Sequence, residues 1–193
     1  MDKNNFVTVK LEIPWPGFNE QQTVIIPLEK SSFDVSDHPV IVRREQFKPK
    51  DELHITLIGK TLGRLLLEKI AHCPEIEMQL EQAFQNIDWS TKQTGPSHIL
   101  ARTKEKMGNN GVAILETQKS IILQLGMPGM EAFYDYLKSQ DLINSAYPAP
   151  PPHVTLYTWN CPSGIGVSSV EMLDDLSEEI LSLSELKDLC HNH

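Results

Sequence analysis

Two tetrapeptides, His54-Ile55-Thr56-Leu57 and His153-Val154-Thr155-Leu156, carry the side chains in this 193-residue chain best suited to chemistry. Each sets an imidazole and a hydroxyl two positions apart, with a β-branched aliphatic residue between them. Side chains alternate between faces along a strand. His54 and Thr56, or His153 and Thr155, therefore project together, while Ile55 and Leu57, or Val154 and Leu156, project the other way. A rise of about 3.3 Å per residue puts the two polar positions about 7 Å apart, from which both reach one small tetrahedral group. With seven His and ten Thr in the chain, one His-x-Thr is unsurprising, since random placement gives roughly 0.4. Two copies sharing the β-branched residue and the Leu are far less expected. The plainer alternative for either copy alone is an exposed His bonded to its neighbouring Thr.

Two imidazoles facing one cleft suit acid and base work near neutrality, because one is neutral while the other is protonated. One takes a proton from water or a hydroxyl, and the other protonates the leaving oxygen. This matches in-line displacement at phosphorus, with two Thr hydroxyls on the non-bridging oxygens. The scheme needs no metal or other cofactor. No two His sit on one helical turn in the manner of zinc hydrolases, and neither motif His lies near a nucleophile-elbow glycine pattern.

The paired motifs resemble those of the 2H phosphoesterase superfamily, which includes the RNA 2′,3′-cyclic phosphodiesterases once called RNA ligases. The resemblance is specific at these eight residues and extends to the rest of the chain only as a similar order of elements. It implies metal-independent cleavage of a phosphodiester, with His54 and His153 catalytic and Thr56 and Thr155 binding the phosphate. It also implies a bilobal α+β fold with antiparallel sheets lining a central cleft and helices outside. Tyr157 and Trp159 follow the second motif where some members carry a basic residue. By strand alternation they share the face of His153, either as platforms for a base or ribose or as plain core or rim aromatics. Lys60 and Arg43 are further candidates for phosphate contacts.

The elements that must hold these residues are legible in outline. Strands are expected over 6–13, 23–28, 40–43, 53–58, 87–92, 97–106, 112–118, 121–125 and 153–159, and helices over 62–73, 75–85 and 128–142. Pro14-Trp15-Pro16-Gly17, Pro74 and Gly108-Asn109-Asn110-Gly111 punctuate them. The run Tyr147 to Pro152 is rigid and delivers the second motif. Gly164 and Gly166 lack the remaining spacing of a phosphate loop. A separation of 99 residues between the motifs suggests duplicated lobes about an approximate two-fold axis. Residues 1–168 read as one such domain, and 169–193 as an acidic helical segment and tail packed on it.

Composition bounds the rest. The net charge is −9, of which residues 171–188 hold −6, with seven carboxylates against one lysine. The remainder is only mildly acidic and includes a basic tract at 43–50, which suits a small nucleotide or an RNA end. Duplex DNA is disfavoured, because it calls for an extended basic surface. No apolar run approaches the ~18 residues of a membrane span, and Cys73, Cys161 and Cys190 lack metal-ligand spacing. Reduced thiols in a cytoplasmic protein are expected, without an obligate protein partner. Two other readings stay open: a nucleotide-sequestering module with little catalysis, and an interaction protein acting through its acidic C-terminal helices.

Overall fold

The structure, a computed structural model, describes residues 8–9, 13–33, 35–93, 95–107 and 111–191. Within these residues the chain is mixed α+β, with a curled antiparallel sheet and five helices. Of the first expected strand, β1 (Thr8–Val9) is described and Ile13 is coil; residues 6, 7 and 10–12 lie outside the description. So do residues 108–110 of the expected turn and the last two residues of the tail.

β2 (Val24–Leu28) pairs only with β5, and Pro27 is tolerated there because an edge strand can do without one N–H. β3 (Val40–Val42) turns through Arg43 and Arg44, both at positive φ (49° and 74°), into β4 (Glu45–Pro49). Two successive left-handed residues give the tight turn whose twist suits a hairpin. The basic tract is thus mostly strand. β5 (Leu53–Ile58) carries the first motif, followed by α1 (Lys60–His72) and α2 (Glu75–Gln85), with Pro74 between them. The strand expected over 87–92 shrinks to β6 (Thr91–Lys92). The Trp89 indole donates to the Phe84 carbonyl at 2.8 Å and holds the preceding residues against the end of α2.

β7 (Ser97–Met107) and β8 (Ala113–Gln124) form a long hairpin, so the two segments expected over 112–125 are one strand. α3 (Pro128–Ser139) starts on a proline whose missing N–H costs nothing there, and ends three residues short of the expected Leu142 as Asp141 takes φ 53°. β9 (His153–Trp159) carries the second motif. The acidic region is not all helix: α4 (Val170–Leu176) and α5 (Leu183–His191) flank β10 (Ser177–Leu181), which pairs with β7. That pairing satisfies the open edge of the hairpin.

The strands run in the order β10-β7-β8-β9-β4-β3, with β5 also beside β9 and β2 beyond it. β9 is the organising strand. One edge pairs with β8; the other pairs with β5 at Val154 and with β4 at Tyr157 and Thr158. Curling brings the ends of the sheet together, where Arg43 meets Glu179 at 3.0 Å and Lys119 bridges Glu45 (2.9 Å) and Glu178 (3.0 Å). On one face the main core gathers Phe47, Ile55, Leu57, Ile121, Leu123, Phe133, Tyr134 and Val154. A smaller cluster of Leu100, Ile122, Cys161, Ile165, Val167 and Leu173 takes the other face, as the split of Ile121 and Ile122 between the two requires.

Candidate active site

The two motifs meet through one backbone pairing, Ile55 with Val154, antiparallel. Continuing that register by one residue each way sets Thr56 opposite His153 and His54 opposite Thr155. Residues paired directly across such strands have Cα atoms about 4.5–5.5 Å apart. Ile55 and Val154 are buried in the core at 1% and 0% exposure, so the four polar side chains share the opposite face. Each histidine faces the threonine of the other motif, and the two imidazoles lie on a diagonal. A slip of one residue would invert every one of these positions, and the buried Ile55 and Val154 prevent it.

The imidazoles differ in setting. His153 is buried, and its Nδ1 lies 2.8 Å from the Pro151 carbonyl, which accepts the Nδ1–H and leaves Nε2 as the reactive nitrogen. Burial pushes its pKa below the ordinary 6.5; the Pro151 bond opposes this, and the charge of His54 adds to it. His54 is part-buried, and burial again lowers its pKa, assisted by Lys50 and opposed by Glu52. Among the described residues no hydrogen-bond partner holds the His54 ring.

A cavity of about 220 Å³ opens on His153 and Thr56. Its walls are the first turn of α1 (Gly59, Lys60, Thr61, Leu62), the rings of Tyr134 and Tyr147, Pro150, and the Gly166–Ser168 loop with Met172. Tyr134 donates to the Leu57 carbonyl at 3.0 Å and stacks with Tyr147 at 6.3 Å between centroids, so this aromatic wall is fixed to the first motif strand. Burial pushes the Tyr134 hydroxyl pKa well up, which keeps it a donor. Of the residues expected from sequence, Thr56, His153 and Lys60 line this cavity; His54 and Thr155 share the sheet face without lining it. Thr155 lies under Gly164, whose φ is +79° and where an added Cβ would come within 3.1 Å of the threonine Cγ2. The Ile165 N–H, bonded to Ser120 Oγ at 3.0 Å, pins that loop to the sheet.

Tyr157 and Trp159 do not continue the face of His153. Thr155 pairs with Ile122 but Tyr157 with Ile121, so β9 carries a bulge that inserts one residue and reverses the alternation beyond it. Tyr157 turns into the main core at 0% exposure, where its hydroxyl accepts the Ser36 N–H at 2.9 Å. Trp159 pairs with Lys119, whose Nζ lies 6.0 Å from its ring centroid. Thr158 takes the site face instead, opposite Lys48 on β4. Lys48, Lys50, Thr158 and Trp159 border a second, wider cavity of about 600 Å³. Arg43 is engaged with Glu179 and borders neither.

Sequence reasoning missed the cavity walls. Tyr134 is legible as a core position of its helix and Tyr147 as part of the proline run, but nothing local announces that they face a motif. Lys50 closes the basic tract read from sequence, but that its charge acts on His54 is seen only in the structure. Among the described residues no group of three or more His, Cys, Asp or Glu could hold a metal ion, and no helix is long and apolar enough to cross a membrane. Comparison with family models, curated proteins and solved structures gives no match.

Proposed function

We propose that this protein is a metal-independent phosphodiesterase of the 2H type, acting on a cyclic phosphate or a 2′-5′ linkage of a small nucleotide or RNA end. The observation that carries the reading is the Ile55 to Val154 pairing, which juxtaposes two imidazoles and two hydroxyls on one sheet face. In this scheme a phosphoryl group sits on the shared sheet face over the two paired strands, Thr56 and Thr155 hold its non-bridging oxygens, and one histidine activates the nucleophile while the other protonates the leaving oxygen. The cavity beside His153, with its aromatic walls, takes the nucleoside part. The same reading carries the proposal that the chain is a duplicated bilobal fold, each half contributing one motif to a shared central cleft.

A second reading has its own support. The cavity is bordered by one histidine and one threonine of the four, and a loop covers Thr155. A binding module that sequesters a nucleotide with little chemistry would tolerate this asymmetry.

The deciding experiment incubates the purified protein in EDTA with 2′,3′-cyclic and 3′,5′-cyclic mononucleotides, 2′-5′ oligonucleotides and cyclic-phosphate-ended RNA, read by mass spectrometry. Turnover that disappears in the His54→Ala/His153→Ala protein supports the enzyme and names its substrate. Tight binding without product supports sequestration. Turnover equal in the double variant sinks the two-histidine mechanism.

A further inference from the structure

We infer that the first turn of α1 is the anion subsite of the cavity, where the N–H groups of Lys60, Thr61 and Leu62 hold a phosphoryl oxygen opposite Thr56 and His153. This rests on the proposed reading and adds to it the group that meets the phosphate charge. In a chain of net charge −9, backbone dipoles supply what a buried cation would otherwise provide.

Three observations converge. Gly59, Lys60, Thr61 and Leu62 all line the cavity, and they form the N-terminus of a 13-residue helix. That terminus is open: Gly59 provides no side-chain cap, no acidic residue lies in the first turn, and among the described residues the first turn's backbone bonding starts at the Gly63 N–H, with no acceptor for the three before it. Unpaired N–H groups at a helix start, reinforced by the helix dipole, favour an anion. The second observation is independent of the helix. His153 is 8% exposed, lines the same cavity, and spends Nδ1 on Pro151, leaving Nε2 without a protein partner among the described residues.

The third concerns Gly59 itself. Its φ of −75° and ψ of 163° suit any residue, and an added Cβ would meet nothing within 4 Å. A capping Asp or Asn fits there without strain and would satisfy the open N–H groups, but it would occupy the subsite. Gly63, by contrast, is required: a Cβ there would lie 1.7 Å from the Gln22 carbonyl oxygen, so the first turn of α1 packs closely against the turn that leads into β2.

The test titrates wild-type, Gly59→Ala, Gly59→Asn and Gly59→Asp proteins with inorganic phosphate by ³¹P NMR, with thermal unfolding and turnover in EDTA on the same samples. The wild type is expected to bind. Gly59→Asp weakens binding by about two- to thirtyfold, the scale of a charge set at a helix terminus, while its melting temperature holds or rises. Gly59→Asn weakens binding more than Gly59→Ala, because Asn covers the N–H groups and Ala does not. Wild-type affinity in the Asn and Asp variants, or no phosphate binding by the wild type, overturns the subsite. Unaltered binding in those variants beside wild-type turnover removes the subsite and leaves the two-histidine reading standing. Gly59-dependent binding without wild-type turnover supports the subsite and removes the enzyme.

Discussion

On β9 the imidazole of His153 is 8% exposed and anchored through Nδ1 to the Pro151 carbonyl, whereas on β5 that of His54 is part-buried, unanchored among the described residues, and flanked by Lys50 and Glu52. The threonines differ in the opposite sense, Thr56 opening on the cavity and Thr155 lying under Gly164. Nearly identical tetrapeptides therefore receive different properties from what precedes and covers them. The proline run before His153 supplies its anchor, the Pro151 carbonyl, and the charge of Lys50, which follows β4, acts on His54. The motif fixes which groups face the site, and the flanks set their protonation and access.

The comparison breaks most sharply at the histidines. Under the proposed mechanism His54→Ala and His153→Ala each lower kcat/KM by about 10²–10⁴, the range for loss of a general acid or base. A variant in either position that retains full turnover makes that strand a bystander. Thr56→Val is expected to cost up to about 10²–10³, as for an oxyanion donor, and Thr155→Val less, because Gly164 already covers it. Steady-state kinetics of the two decide whether the cavity side dominates.

Stability responds to pH through the same pair. Burial lowers both imidazole pKa values from the ordinary 6.5. Above that value both folded and unfolded chains carry neutral His, and stability is fully present. As pH falls from about 6.5 towards the folded values, the unfolded chain binds protons first, so stability is lost. Urea midpoints measured from about pH 7.5 to about pH 5 should fall, and fall less in His153→Gln, which removes the more buried group. The smallest effect is at the covering loop. Gly164→Ala puts a side chain at φ +79° against Thr155 and should cost about 1–2 kcal/mol, read as a lower midpoint in denaturant.

Much of this arrangement is legible in the sequence, and the remainder depends on pairing at a distance. The motif strands show themselves because alternation and β-branching are local, and the helices after β5 because their apolar spacing is regular. β4 is not visible that way: Glu45-Gln46-Phe47-Lys48-Pro49 has one large apolar side chain, and its conformation comes from β3 on one side and β9 on the other. β10 hides in an acidic stretch for the same reason, since its reason to be extended is the free edge of β7. The bulge is a matter of counting β9 against β8, which no single segment records, and it is why Tyr157 and Trp159 leave the face expected of them. The cavity combines a helix start, a proline run and a loop from separate parts of the chain.

The central claim, that His54 and His153 act as an acid and base pair on one phosphoryl group, is tested most directly by the pH dependence of kcat/KM. The wild type should give a bell on the acid side of neutrality, since both pKa values are lowered. His54→Ala and His153→Ala should each lose one limb, and not the same one. A bell that survives intact in either variant would contradict the pairing.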